Sequence, residues 1–514
     1  MTMITDIDSQ STALAEFSWD KLWQLFEGST ERMNLAHECL DRHAGKGTAV
    51  SIKFADGRLE HHDFAKLSDL SGRFANWLKR RGIAKGERVA VMLEPSLGFY
   101  VGMFGAVKRG AIGVPLFTLF GPEGLALRIN DCKPRVLLVD GDSGAMTAQF
   151  PDMLVVQVNA AFWAELAAES PEFASDTEAN DLAIFQYTSG TTRELPEAVR
   201  HSHRAVVTLM IAALYGVGLR PGDRYFCPSS PAWGHGLWHG TIAPLALGIH
   251  IGAYSGRFDP ARIVEALEKM KIDNLAAAAT VYRMIRHAKL LEPGRLHIPK
   301  ISFTGEPIDD DTADWVERTL GSPACSMYGT TEVGVVIANY PGFKGYHVKP
   351  GSLGKPVPGW QVAIVDRAGA ELPPGESGEI AVKRRGEWFY IKDRGRQDAD
   401  GYFFHEGRSD DVIISAGWTM SAVEIENSLL KHPAVLEAAV IGVPDTLRGQ
   451  VVRAYIVARG GGDAPVEDIQ AFMKKQLSQH EYPRQIEFVS ELPKTPAGKI
   501  NRKVLRDRAA QSKA

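Results

Sequence analysis

The sequence predicts an α/β protein, with a large N-terminal α/β domain of layered sheets that ends in a small β unit, and a small C-terminal α+β domain. Three observations predict it. Apolar segments alternate with Gly/Pro breaks from Ala49 to Asp140; Pro-Gly turns and short strands take over after about Gly345; and the pattern changes again after Arg408-Ser-Asp-Asp. The expected domains are therefore 1–408 and 409–514. A chain of 514 residues also exceeds the size at which one hydrophobic core keeps growing.

In chain order, Arg88-Val-Ala-Val-Met-Leu, Ala111-Ile-Gly-Val-Pro-Leu and Arg135-Val-Leu-Leu-Val-Asp are nearly continuous apolar runs. Parallel strands buried on both faces read this way. Between them, Leu67, Leu70, Phe74, Trp77 and Leu78 recur at helical spacing, and Phe99 to Val107 does the same. Pro350-Gly, Pro356-Val-Pro-Gly and Pro373-Pro-Gly frame short strands such as Val362-Ala-Ile-Val. Beyond Asp411 the pattern predicts a helix from Ser421 to Lys431, strands Glu437 to Val443 and Val451 to Ala458, a helix from Val466 to Leu477, and a basic tail.

The composition is 45% apolar and 23% charged, with 58 Lys+Arg against 62 Asp+Glu. This balance argues against disorder and gives no sign of a nucleic-acid or membrane partner. Cys39, Cys132, Cys227 and Cys325 lie far apart without a Cys-x-x-Cys pair, so neither a disulfide framework nor a zinc site is expected, and a reducing, cytoplasmic setting fits. Met1 to Gln10 lacks the basic-then-apolar organisation of a secretory signal, and no apolar stretch reaches membrane-spanning length. His61-His62 and His201-x-His203 have no carboxylate or cysteine at metal-ligand spacing, and are expected at the surface or behind a site.

The first segment with chemistry is Thr188-Ser189-Gly190-Thr191-Thr192, directly after Leu182-Ala-Ile-Phe-Gln-Tyr. Hydroxyls and a glycine at a strand end serve either as a plain turn or as a cradle for a polyphosphate. No G-x-x-x-x-G-K-[ST] occurs, and Gly234-His-Gly-Leu-Trp-His-Gly240 has the wrong spacing for a dinucleotide turn. Further on come Gly305-Glu-Pro307, Tyr328-Gly-Thr-Thr-Glu332, Asp400-Gly-Tyr, Gly407-Arg-Ser-Asp-Asp-Val-Ile413 and Pro493-Lys-Thr-Pro-Ala-Gly-Lys-Ile500. In this order and at these separations, from about Phe54 to Arg506, the chain resembles the adenylate-forming superfamily of acyl-CoA synthetases, peptide-synthetase adenylation domains and luciferases. Phe120-Gly-Pro-Glu, Ala338-Asn-Tyr-Pro-Gly and Lys349-Pro-Gly-Ser-Leu-Gly-Lys-Pro resemble its acetyl- and medium-chain acyl-CoA synthetase branch.

The resemblance implies an ATP-dependent carboxylate–CoA ligase that uses ATP, Mg2+ and coenzyme A. Such an enzyme converts a small carboxylic acid, aromatic or of short to medium chain, first to its acyl-adenylate and then to a thioester. Two alternatives are an adenylating enzyme that loads an acyl carrier protein and a non-catalytic nucleotide-binding relative. By the same resemblance Thr188 to Thr192 hold phosphates; Gly305, Glu306 and Pro307 line the adenine pocket; and in Tyr328-Gly329-Thr330-Thr331 the tyrosine stacks on the ring while Thr330 reaches the α-phosphate. Glu332 would coordinate Mg2+, an ion that prefers oxygen ligands shared with phosphates. Asp393 would grip the ribose, Arg408 would contact the same ribose or a phosphate, and Asp410 would be the hinge of a mobile C-terminal domain. Lys499 would stabilise the charge that develops during adenylation, and Gly417 and Trp418 would line the pantetheine tunnel. Trp233, His235 and Gly236, with Ala279 to Tyr282 and Val333 to Val336, either close a short, flat acyl pocket or belong to the core.

The chain departs from the family after Thr192. Where relatives continue Gly-x-Pro-Lys-Gly, it reads Arg193-Glu-Leu-Pro-Glu-Ala, with Glu197 in the place of the phosphate-facing lysine. The expectation is that Glu197 points away and that Arg193 or Arg200 supplies the cation, Arg193 being the nearer to the hydroxyls. Asp393 is preceded by Tyr390-Ile-Lys rather than the family's Thr-Gly.

Overall fold

The computed structural model of the chain describes residues 3–141, 147–187, 197–330, 333–366, 368–408, 413–415, 418–420, 422–445, 449–460, 465–476, 482–495 and 500–511. They form two compact units. The large one comprises Met1–Val348 with Pro356–Gly359, and the small one Lys349–Lys355 with Trp360–Ala514.

Two sheets build the large unit. One takes, in order, Leu154–Gln157, Val136–Val139, Arg88–Met92, Ile112–Pro115, Leu182–Gln186 and Val199–Ser202, all parallel except the last. The three runs read as buried parallel strands are indeed its centre. The other sheet runs Gly334–Ala338, Cys325–Thr330, Lys300–Thr304, Asn274–Ala278, Arg224–Phe226, His250–Ser255, Thr48–Phe54 and Leu59–Asp63. Helices Phe64–Arg80 and Leu97–Arg109 lie against each other, the first also on the strands Thr48–Phe54 and Leu59–Asp63, the second on Arg88–Met92 and Ile112–Pro115. They are thus a helical layer between the two sheets. Each begins at a side-chain cap, Asp63 accepting from the Lys66 N–H and Ser96 from the Phe99 N–H, and Gly110 at φ 81° ends the second in a left-handed turn. Gly105 lets the helices touch: a Cβ there would lie 2.9 Å from the Ser71 carbonyl oxygen.

The small unit carries an antiparallel four-stranded sheet, Val362–Val365, Ser377–Arg384, Glu387–Gln397 and Phe403–Arg408. A second sheet orders Trp418–Met420, Ile413–Ser415, Gly449–Ala458 and Val435–Asp445, with Gln485–Phe488 parallel to Gly449–Ala458. Helices Ala422–Leu430 and Val466–Gln476 cover it through Ile425, Leu429, Ile469 and Met473, packed on Val440, Val452 and Ile456. Class and layering follow the sequence expectation, and the four C-terminal elements it named differ by no more than two residues at either end, but the expected basic tail holds strand Gln485–Phe488 and helix Arg502–Gln511.

All four cysteines are free and buried in the large unit. Burial pushes the Cys132 and Cys227 thiols up to about 11 and Cys325 to about 12, with Cys39 higher still. Among the described residues no helix is long and apolar enough to cross a membrane.

Candidate active site

Strand Leu182–Gln186 delivers the chain to the Thr188-to-Thr192 segment, which lies outside the described residues together with Arg193. Both flanks of that segment are anchored. The Tyr187 hydroxyl donates to Asp131 Oδ2 at 2.7 Å and to the Arg128 carbonyl at 3.0 Å, and the Ala198 N–H reaches the same Asp131 oxygen at 3.2 Å. Sequence reasoning missed Asp131, which sits in an unremarked helix, Pro122–Cys132. Glu197 is exposed, and the Arg200 guanidinium lies over the Phe185 ring, 5.3 Å from its centroid.

Gln186 joins this strand end to the aromatic segment. Its Oε1 accepts the Trp238 indole N–H at 2.6 Å, and the His201 ring leans on the indole with centroids 4.6 Å apart. Trp238 belongs to His235–Ile242, which winds as π-helix, a wide turn frequent at functional sites. Two glycines make the approach possible. A Cβ on Gly236 would sit 2.2 Å from the Ser230 carbonyl oxygen, and one on Gly234 2.8 Å from Gln186 Nε2. Trp233 is half-buried, edge-on to Phe117 at 5.5 Å.

His235 and His239 bring their Nδ1 atoms within 3.4 Å. Desolvation lowers His235 to about 4 and His239 to about 3, so both rings are neutral at pH 7, and a tautomer with the proton on one Nδ1 lets that ring donate to the other. Trp233, His235 and Gly236 are therefore brought together on one turn.

Gly305 takes φ 91°, a left-handed value that suits glycine, and turns the chain out of strand Lys300–Thr304. Gly305 and Pro307 are exposed, whereas the Glu306 carboxylate bends back onto helix Ala279–Ala288: Oε1 accepts the Thr280 N–H at 2.6 Å and Oε2 meets Arg283 Nη2 at 2.8 Å. Tyr328, Gly329 and Thr330 end strand Cys325–Thr330. Gly329 has no room for a side chain, since a Cβ would fall 1.8 Å from the Gly334 carbonyl oxygen. Thr330 Oγ1 is buried without a hydrogen-bond partner among the described residues. Thr331 and Glu332 lie outside them.

In the small unit Asp393 faces Arg408 across the pairing of strands Glu387–Gln397 and Phe403–Arg408, with His405 Nε2 3.6 Å from its carboxylate. Two of the quoted motifs meet there: Lys349 Nζ ion-pairs with Asp398 and, at 3.1 Å, with Asp400. Trp418 opens strand Trp418–Met420. Asp410, Gly417 and Lys499 lie outside the described residues.

The histidine pairs split. His61 is exposed, one of the two expected settings, while His62 and His203 are buried and His201 packs behind Trp238. His203 Nδ1 accepts the Leu35 N–H at 3.0 Å, a structural tie that no spacing rule on one sequence reveals.

Residues 40–387 match the family described as AMP-binding enzyme, and residues 424–499 match the AMP-binding enzyme C-terminal domain. The chain belongs to the AMP-binding enzyme family. It is 31% identical to the acetyl-coenzyme A synthetase of Bacillus subtilis, over 93% of this chain and 91% of that one. Among solved structures, an acyl-CoA synthetase of Brucella canis superimposes with TM-score 0.75 at 31% identity, covering 99% of this chain and 100% of its own. An anthranilate CoA ligase in complex with anthranoyl-AMP reaches TM-score 0.82 at 26% identity, over 95% and 99% of the two chains. This AMP-binding enzyme is an AMP-forming acid–thiol ligase, of a family whose substrates include ATP and coenzyme A.

Proposed function

We propose that this ligase activates an aromatic or short- to medium-chain carboxylic acid as its adenylate and transfers the acyl group to coenzyme A. The observation that carries the acid class is the glycine-pinned π-turn. Trp233 stands edge-on to Phe117 beside that turn, and His235 and His239 are neutral, an aromatic lining that suits a short, flat acyl group better than a long flexible chain. A relative solved with anthranoyl-AMP, a benzoate CoA ligase of Burkholderia xenovorans at TM-score 0.77 and an acetyl-coenzyme A synthetase frame the same range. Transfer to a carrier protein draws no support from these relatives, and the unpaired cysteines fit a reducing, cytoplasmic setting.

In this reading the backbone around Gly305 and Pro307 meets adenine, Tyr328 stacks on it, and the unsatisfied hydroxyl of Thr330 donates to the α-phosphate. Such a buried hydroxyl gains most from a ligand partner, because leaving it unpaired costs about 1–3 kcal/mol. The segment Thr188, Ser189, Gly190, Thr191 and Thr192 cradles the outer phosphates. Asp393 and Arg408 hold the ribose, Asp410 is the hinge, and Gly417 and Trp418 face pantetheine. Glu332, two residues from the Thr330 oxygen, is the donor that fits Mg2+, which needs few protein ligands when phosphates complete its shell and which, when bound, would neutralise phosphate charge. Lys499 stabilises the charge of the adenylation transition state. The test is a screen of carboxylates for CoA-dependent AMP release. Benzoates, amino- and hydroxybenzoates or acids of two to about eight carbons should dominate, as an aromatic lining favours them; a clear preference for long-chain fatty acids would overturn the assignment.

A further inference from the structure

Helix Ala279–Ala288 starts without a cap of its own, because Ala278 at its N-cap offers no side-chain oxygen. Glu306 supplies one from 26 residues away. One carboxylate oxygen accepts both the N–H and the hydroxyl of Thr280, and the other takes Arg283, whose Nη2 also donates to the Thr280 hydroxyl at 3.1 Å. Asp309, three residues on, sits 3.8 Å from Arg283 and 3.5 Å from Arg286. An anion at a helix N-terminus, held by charge-assisted hydrogen bonds, is among the stronger polar contacts a protein surface can make.

Both oxygens of Glu306 are engaged by the helix, while Gly305 and Pro307 on either side are exposed. The motif glutamate therefore points away from what its neighbours present. The helix in turn follows strand Asn274–Ala278, and the Ala276 carbonyl on that strand is near enough to the His235 ring to offset part of its desolvation.

We propose that Glu306 is a positioning residue, which ties the adenine-side loop 305–307 to helix Ala279–Ala288 and so holds the nucleotide wall and the acyl wall as one body. The inference rests on the ligase reading above. It says that the carboxylate acts through Thr280 and Arg283 and does not touch the nucleotide.

The experiment uses the full chain and ATP–pyrophosphate exchange with its best acid, comparing Glu306→Gln, Thr280→Val and Arg283→Met after thermal melts confirm that each is folded. Losing one charge-assisted contact of the clamp should raise the KM for ATP and the KM for the acid together, by roughly tenfold in each variant. The pair Glu306→Gln/Arg283→Met should be no worse than either alone, because both break one linkage. Thr280→Ser should recover most of the loss, and Arg283→Lys serves if the methionine variant does not fold. The inference is overturned if Glu306→Gln raises the KM for ATP while Thr280→Val and Arg283→Met leave it unchanged, since the carboxylate then contacts the nucleotide directly. It is equally overturned if the acid's KM stays fixed in all three. Absence of exchange in the wild type would instead defeat the ligase reading. In that case AMP binding by calorimetry still tests the clamp, with weakening in all three variants supporting it and weakening in Glu306→Gln alone refuting it.

Discussion

Tyr187 and Ala198 are tied to one oxygen of Asp131, at 2.7 Å and 3.2 Å, on either side of the Thr188-to-Thr192 segment. The carboxylate thereby fixes the span between the two flanks, so that a change at Asp131 alters how the segment between them is held. Asp131→Ala should raise the KM for ATP about tenfold, the loss expected for one charge-assisted pair, with a smaller change in the KM for coenzyme A. Steady-state kinetics with each substrate varied in turn decide it. Equal changes for both substrates would point to general destabilisation.

Lys499→Ala should cripple acyl-adenylate formation by on the order of 10²–10³ while sparing thioester formation from a supplied adenylate, because in the proposed role its charge acts only in the first transition state. Asp410→Pro should do the reverse, by fixing φ at the proposed hinge and removing an N–H donor. Single-turnover measurement of each half-reaction separates the two. A thioester step at wild-type rate in Asp410→Pro rules out residue 410 as the hinge.

With Arg200 lying over Phe185 and Glu197 exposed, Arg193 is the favoured replacement for the missing loop lysine. A guanidinium can grip phosphate oxygens in a bidentate way. Arg193→Ala should raise the KM for ATP and slow pyrophosphate exchange, whereas Glu197→Ala and Arg200→Ala should stay near wild type. The opposite ranking would show that the loop register assumed here is wrong.

Burial lowers His201, His203 and His235 to about 4 and His239 to about 3, from an ordinary value of 6.5. Below pH 6.5 the unfolded chain takes up protons that the folded chain refuses, so stability should fall as pH drops from 6.5 toward 4. For a fully buried ring such as His203 the loss is on the order of 2 kcal/mol at pH 4.5. His37, raised to about 9 chiefly by the Asp41 carboxylate 3.6 Å away and also by Glu27, has the opposite sign, since its contribution is complete below 6.5 and is lost only as pH rises through 9. Urea midpoints at pH 7.5 and 5 should therefore differ more in the wild type than in His203→Gln, and parallel behaviour would remove His203 from the account.

Legibility varied with how local the cause was. The buried strands and the helices at 64–80 and 97–109 could be read because periodicity and near-continuous apolar runs record burial directly. The family could be read from a series of segments, since five motifs in order carry far more information than any one alone. Asp131 and Arg283 could not, and Thr280 only as part of a candidate acyl-pocket segment, because each acts on a segment at least 23 residues away, as the Arg283–Glu306 pair does. Nothing in their neighbours announces a partner. Glu306 was legible as part of the motif, but the direction of its side chain depends on an uncapped helix elsewhere in the chain. The partner of His203 was illegible for the same reason: the Leu35 N–H lies 168 residues earlier.

The four thiols buried in the large unit, with no cysteine anywhere from 349 to 514, make alkylation a selective clock. Only a thiolate reacts, and burial suppresses it in every one of the four. A pulse of maleimide followed by intact-mass measurement would mark only molecules whose large unit has opened, while the small unit stayed silent however far it had unfolded. The number of labels per molecule would then tell whether the two sheets of the large unit part in one event or in stages.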